Sequence, residues 1–293
     1  MGVKELLNSS TKYNKDSITA RIDNYLATNV EENDRAVDVN SPSQVFKCMR
    51  SLYYARTEAE SDGFIDPRLQ RIFDNGTHMH LRTQEYLTKE GSLVMDECPC
   101  IDAEANIQGH TDGILKMTEQ EYAILELKSM NSILFGKLKE PKPEHIAQAM
   151  IYMYCTECRR QELVSMTEDE FENSEKERAE FYRSRYQHLR AGKKYTKEEK
   201  IQHNIDTNLK LDNLLHTIKR PIDRIVFLYE NKDNQELKEF VVEYDDDLMC
   251  DILDFYDQVN YYVANKKVPP REGTSKSCNI CRFCSYRNEC YVV

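Results

Sequence analysis

The chain has 293 residues, 40% of them apolar, enough to bury a substantial core as one large domain or two small ones. Its net charge of −11 excludes a protein that coats nucleic acid over its whole surface, so any contact with a polyanion needs a local basic patch. No apolar run approaches the roughly 20 residues that span a bilayer, and the N-terminal MGVKELLNSSTKYNKD lacks the apolar core of a signal peptide; a soluble, intracellular and cytoplasmic protein is the expectation.

Residues 1–40 are polar and charged, with a helical stretch near 16–29, and read as an N-terminal arm; residues 41–293 are expected to form a single domain. Ser41-Pro42-Ser43 is a helix-start signal, and a helix is predicted through Val45, Phe46, Cys48 and Met49 to Tyr53. A second helix follows Pro67, with Gly76 as an interruption where something approaches closely. From Ser92 the apolar period changes from helical to alternating. Stretches near 92–101, 105–117 and 121–129 read as consecutive strands of an antiparallel meander. A proline-flanked loop at 140–143 leads to the apolar helix HIAQAMIYMYC, and the charged, helical 160–220 reads as an insertion or lid. Strands near 223–230 and 237–244, a helix near 246–264 and a cysteine-rich tail complete the chain. The order describes an α/β core in which a central mixed sheet is flanked by helices.

The most informative residues are Gly109-His-Thr-Asp112 and, one strand later, Glu126-Leu-Lys128. Strand residues two apart share a face, so Glu126 and Lys128 lie side by side while Leu127 points into the core. A hairpin brings Asp112 alongside. Two neighbouring carboxylates repel, and a divalent cation relieves that cost; oxygen donors of this kind suit Mg²⁺ or Mn²⁺. The lysine beside them can orient an attacking water or stabilise charge in a phosphoryl transition state. Alone, E-x-K is a common surface pair. Here it sits in the apolar run Ala123-Ile-Leu-Glu-Leu-Lys, where unpaired charges are costly.

The succession G-x-x-D, E-x-K and then Q-x-x-x-Y, supplied by Gln148 and Tyr152, resembles the PD-(D/E)XK nucleases of the RecB type. Helical geometry places His145, Gln148 and Tyr152 on one face. The resemblance implies a restriction-endonuclease-like core in which Gln148 and Tyr152 pack over the active site and touch the DNA strand. It also matches Gly76-Thr-His-Met-His80 to the family's G-x-x-x-H and so implies His80 as a metal ligand with Asp112, Glu126 and the backbone carbonyl of Leu127. Lys128 would then position the water that hydrolyses the phosphodiester. His78 matches no family position. The implied activity is processing of DNA ends with a preference for single strands, with protein partners in DNA processing; strand polarity does not follow. A vestigial, purely DNA-binding site is the alternative, and the complete Asp/Glu/Lys set argues against it. The resemblance does not choose a pathway among CRISPR spacer acquisition, recombination and phage DNA metabolism.

Four of the ten cysteines fall within thirteen residues, Cys278, Cys281, Cys284 and Cys290. In a large intracellular chain such clustering points to metal rather than disulfides. Zinc favours paired knuckles, whereas iron–sulfur clusters tolerate uneven spacing. The C-x₂-C-x₅-C of Cys281, Cys284 and Cys290 resembles that of the iron–sulfur nucleases, among them the CRISPR-associated RecB-like exonucleases, in which a distant N-terminal cysteine is the fourth ligand. The resemblance implies Cys48, in the context Ser41-Pro42-Ser43…Cys48-Met-Arg50, and a [4Fe–4S] cluster that ties 271–293 to the start of the domain. Cys278 departs from the pattern and offers a local fourth thiol. Cys98, Cys100, Cys155, Cys158 and Cys250 read as core or surface thiols.

Within the insertion, 182–197 carries Arg183, Arg185, Arg190, Lys193, Lys194 and Lys197 with Tyr182, Tyr186 and Tyr195 interleaved, a composition suited to single-strand binding. The acidic stretch 168–180 offers a bland alternative, a solvated helical hairpin. Lys137, with Lys139 and Lys142 after the third strand, is a further candidate for the phosphate backbone.

Overall fold

Alternation of apolar residues in three successive stretches produces β1 (Leu93–Asp102), β2 (Ile107–Lys116) and β3 (Tyr122–Met130), paired antiparallel in that order. A computed structural model of the chain describes residues 17–28, 36–57, 59, 66–192, 194–282 and 284–292. β4 (Arg224–Asn231) lies parallel to β3, and β5 (Leu237–Glu243) closes the other edge antiparallel to β4. The result is a mixed five-stranded sheet in the order β1-β2-β3-β4-β5. Parallel pairing of β3 with β4 requires a long crossover. That crossover carries α4 (Ser132–Lys137), α5 (Pro143–Val164) and the insertion helices α6 (Glu168–Asn173), α7 (Glu175–Arg185) and α8 (Lys197–Thr217).

The strand period of two assigns the faces. Ile124, Ile225 and Phe227 point to the larger core, built with Ala147, Met150 and Ile151 of α5 and with Ile252 and Tyr256 of α9 (Asp246–Ala264). Leu125, Leu127 and Val226 point the other way, against Met79 of α3 (Pro67–Glu90). Helix α3 starts on an Asp66 cap with Pro67 in its first turn and stops at Gly91, in the left-handed region at φ 103°.

Two expectations need correction here. Gly76 does not interrupt α3, and a side chain there would meet nothing within 4 Å; one interior glycine costs only about 1 kcal/mol, which a 24-residue helix absorbs. The helix expected from Ser41 to Tyr53 is broken. Pro42–Gln44 is a single 3₁₀ turn, Phe46 takes a positive φ of 55°, and Cys48 becomes the N-cap of a separate α2 (Met49–Arg56). The turn sits where it does because the Pro42 ring packs on Gly109 of β2, so closely that a Cβ at 109 would lie 2.7 Å from Pro42 Cδ.

In the N-terminal arm the described helix α1 (Ile18–Thr28) packs on α3 and is tied to it by Asp23 and Arg71. The insertion is anchored by one buried carboxylate. Asp212, 0% exposed on α8, accepts two hydrogen bonds from Arg159 of α5 (2.8 and 2.7 Å), one from Arg178 of α7 (2.9 Å) and one from Tyr182 (2.8 Å). Helices α6 and α8 each begin with a reciprocal capping box, Thr167 with Glu170 and Thr196 with Glu199. The tail folds back on α2: the Met49 N–H donates to Glu272 (2.8 Å), and Cys290 packs with Tyr53 and Tyr54. The last helix, α10 (Arg287–Val292), carries Cys290. Among the described residues no helix is long and apolar enough to cross a membrane.

Candidate active site

The sheet forks between β2 and β3. Their pairing ends at Gly113 opposite Leu125, while β2 continues along β1 to Ile107 and β3 continues along β4 to Met130. The fork leaves Asp112 and Glu126 without cross-strand partners on each other, and they line one cavity of about 1160 Å³ together with Lys128, His80, Gln148 and Tyr152. Asp112 bridges the split: its Oδ2 accepts from the backbone N–H of Leu127 (2.6 Å), and its Oδ1 lies 3.0 Å from His80 Nδ1 on α3. Thr111 reaches across in the same way, its hydroxyl donating to the Leu125 carbonyl (2.9 Å).

Glu126 is 3% exposed. Burial first, and the neighbouring Asp112 charge second, push its carboxyl well above the ordinary range, and the attraction of Lys128 does not cancel this. Lys128 donates to Glu126 and lies 3.2 Å from Gln148 Oε1; Gln148 in turn donates through Nε2 to the Tyr152 hydroxyl (2.7 Å). The amide of Gln148 is thus oriented from behind by Tyr152 and presents its oxygen to the ammonium. Burial works against protonation of His80, but the hydrogen bond and charge of Asp112 outweigh it and raise the imidazole. His145 is held apart, its Nδ1 2.7 Å from the Tyr229 hydroxyl, and burial with the Lys128 charge lowers it to about 4.

Among the described residues no three His, Cys, Asp or Glu side chains are gathered as a metal cage. The donor chemistry nevertheless fits a hard divalent cation, because a buried carboxylate beside a second one carries charge that the chain's own groups leave undercompensated. His80, Asp112 and Glu126 would hold it, with the carbonyl of Leu127 between the two E-x-K side chains.

Glu97 was not anticipated. It lies on β1 between the pairs Asp96–Gly113 and Cys98–Thr111, at a φ of 44°, lines the same cavity and accepts from Gln84 (3.1 Å), which also donates to the Asp112 carbonyl (2.9 Å). Burial raises its carboxyl, and Asp112 adds to the rise. An acid inside a largely apolar strand is the signal that singled out Glu126, and it applied equally to Glu97.

The thiols divide. Cys281 and Cys278 lie together around Gly273, where a Cβ would overlap the Cys281 sulfur, while Cys284 lies against Ser51 of α2 (3.6 Å). Cys48, at the α2 N-cap, is raised by burial, partly offset by the Ser51 N–H. All five thiols stand on elements that meet at the α2–tail contact, and thiolates suit iron and zinc alike. Cys98, Cys100 and Cys155 are buried, and Cys158 and Cys250 are exposed.

Of the basic candidates, Arg190 lines the cavity. Arg183 pairs with Glu198 (2.5 Å), Arg185 reaches Asn106 (3.3 Å), and Lys194 stands over the Tyr195 ring at 5.0 Å. Lys137 ends α4 on the surface, and Lys193 lies outside the described residues. Tyr182 and Tyr186 are core residues, bonded to Asp212 and Asn208, so neither offers a ring face to a base.

No protein-family profile and no curated protein matches the chain. Among solved structures it is similar to an alkaline exonuclease, LHK-Exo, from Laribacter hongkongensis, at 16% identity over 78% of this chain and 90% of that one, with a TM-score of 0.45. The complex of LHK-Exo with dAMP gives 16% identity over 88% and 96%, TM-score 0.45, and SSO0001 gives 11% over 93% and 95%, TM-score 0.46.

Proposed function

We propose that this chain is a divalent-cation-dependent DNA nuclease of the PD-(D/E)XK class, RecB type, that hydrolyses phosphodiesters at DNA ends with a preference for single strands. The observation that supports it is the fork between β2 and β3, where Asp112, Glu126 and Lys128 face one cavity with His80 on one flank and Gln148 on the other. A bound Mg²⁺ or Mn²⁺ would supply Lewis acidity to the scissile phosphate. The chain's own groups do the rest. Asp112, fixed by the Leu127 N–H, and Glu126 would hold that cation and so set where the phosphate sits; Lys128, held by Glu126 and Gln148, directs its ammonium to the non-bridging oxygens of the attacked phosphorus and orients the water. Tyr152 fixes the Gln148 amide and so the lysine.

For the tail we propose a structural [4Fe–4S] cluster on Cys48, Cys281, Cys284 and Cys290, with Cys278 as the competing local thiol. Its role is to pin the tail to α2. Anaerobic purification should yield a brown protein containing iron; a colourless protein containing zinc would remove the cluster.

The decisive experiment incubates the protein with end-labelled single- and double-stranded DNA in Mg²⁺, Mn²⁺ or chelator, beside Asp112→Ala and Lys128→Ala. Cleavage should require the cation and disappear in both variants while circular dichroism stays unchanged. Undiminished cleavage by either variant sinks the assignment.

A further inference from the structure

The cavity above the carboxylates has two unlike walls. One comes from the insertion and is basic and polar: Arg190, Lys200 and His203, on the α7–α8 connection and the first turns of α8. The opposite wall comes from residues 36–57 and Ala59 and mixes apolar side chains, Val37, Val39 and Pro42 among them, with serines, Gln44 and an Arg56 already paired to Asp38. Val37 is 45% exposed there. Between them lies Gln108 of β2, whose backbone N–H donates to the buried Asn40 carbonyl (3.2 Å). Gln108 is 9% exposed, and its Oε1 has no hydrogen-bond partner among the described residues. Gln108 shares a strand face with Asp112 and so marks the floor of the cavity between the two walls.

A polyanion with planar, partly apolar faces on one edge matches this division. A single nucleic-acid strand has phosphates along one side and bases along the other, whereas a duplex turns phosphate to both walls. We infer that the insertion is the strand-gripping wall of the site: Arg190, Lys200 and His203 hold the phosphates, while bases turn toward residues 36–57 and Ala59. This rests on the nuclease reading for its substrate, DNA, but not for its test. It also reassigns the basic stretch, since Lys200 and His203 lie beyond the run that composition singled out.

The test measures binding without cleavage, by fluorescence anisotropy of labelled oligonucleotides in chelator across a salt series. The Arg190→Ala/Lys200→Ala double variant should bind single-stranded DNA more weakly, and its slope of log K against log salt should fall by about 1.4, at about 0.7 per lost phosphate contact. A charge-matched control, Lys89→Ala/Lys176→Ala, removes two exposed lysines outside the cavity and should leave the slope unchanged. Equal losses in both pairs, or tighter binding to duplex than to single strand, overturn the assignment. An oligoribocytidine arm bound more tightly than its DNA counterpart would make the occupant RNA and overturn the DNA strand. Because no step depends on hydrolysis, a protein that never cleaves but shows the 1.4 loss keeps the wall and loses the nuclease.

Discussion

Replacing Glu126 by Gln should make the cation-free protein more stable while removing its activity. Glu126 is 3% exposed, burial and the Asp112 charge both disfavour its carboxylate, and the Lys128 contact does not make up the difference. The folded-state pKa therefore lies above the ordinary 4.5, so between the two values the folded chain binds more protons than the unfolded one. Stability is then highest below the unfolded value and falls as pH rises through the folded one. Each unit of elevation below the assay pH costs about 1.4 kcal/mol, and glutamine, which keeps the shape, avoids it. Lys128 loses its carboxylate but is 20% exposed and keeps Gln148, so it remains solvated. The expectation is a gain of at least about 1.4 kcal/mol at about pH 8, or about 4 °C in Tm, shrinking to nothing near pH 4.5. Thermal unfolding of both proteins in chelator at two pH values measures it. Addition of Mn²⁺ should then stabilise the wild type more than the variant, because only the wild type has a second buried charge to neutralise. A variant less stable than wild type at the higher pH would refute the reasoning and mean that Lys128 fully compensates Glu126.

Three further outcomes follow from the same geometry. Asp212→Ala leaves Arg178 buried, and Arg159 half-buried, around a lost carboxylate; it should cost about 3–5 kcal/mol in urea denaturation, and a loss under about 1 kcal/mol would mean that the guanidiniums find water. Tyr152→Phe removes the hydroxyl that fixes Gln148 and should slow cleavage about tenfold, the equivalent of one hydrogen bond of about 1.4 kcal/mol, without altering the circular dichroism spectrum. Gly273→Ala places a methyl in the Cys281 sulfur and should lower the metal retained after dialysis against chelator, as read by elemental analysis, whereas full retention would place Cys281 outside the metal site.

Much of this architecture is written in local pattern. The alternation in 92–129 specifies three strands, and the two-residue period alone puts Glu126 and Lys128 on one face and Leu127 on the other, because strand geometry leaves no other choice. The proline at 67 and the glycine at 91 bound α3 for equally local reasons. What the chain pattern did not contain was the fork. Where β2 leaves β3 depends on Pro42 packing on Gly109 and on Asp112 capturing the Leu127 N–H, contacts between residues far apart in sequence. The positive φ that swings Glu97 into the cavity, and the fold-back that buries Tyr182 and Tyr186 around Asp212 and Asn208, are long-range outcomes of the same kind. Composition can say that a segment is basic and aromatic; only tertiary packing decides which of its side chains are spent on the core and which are left facing the cavity.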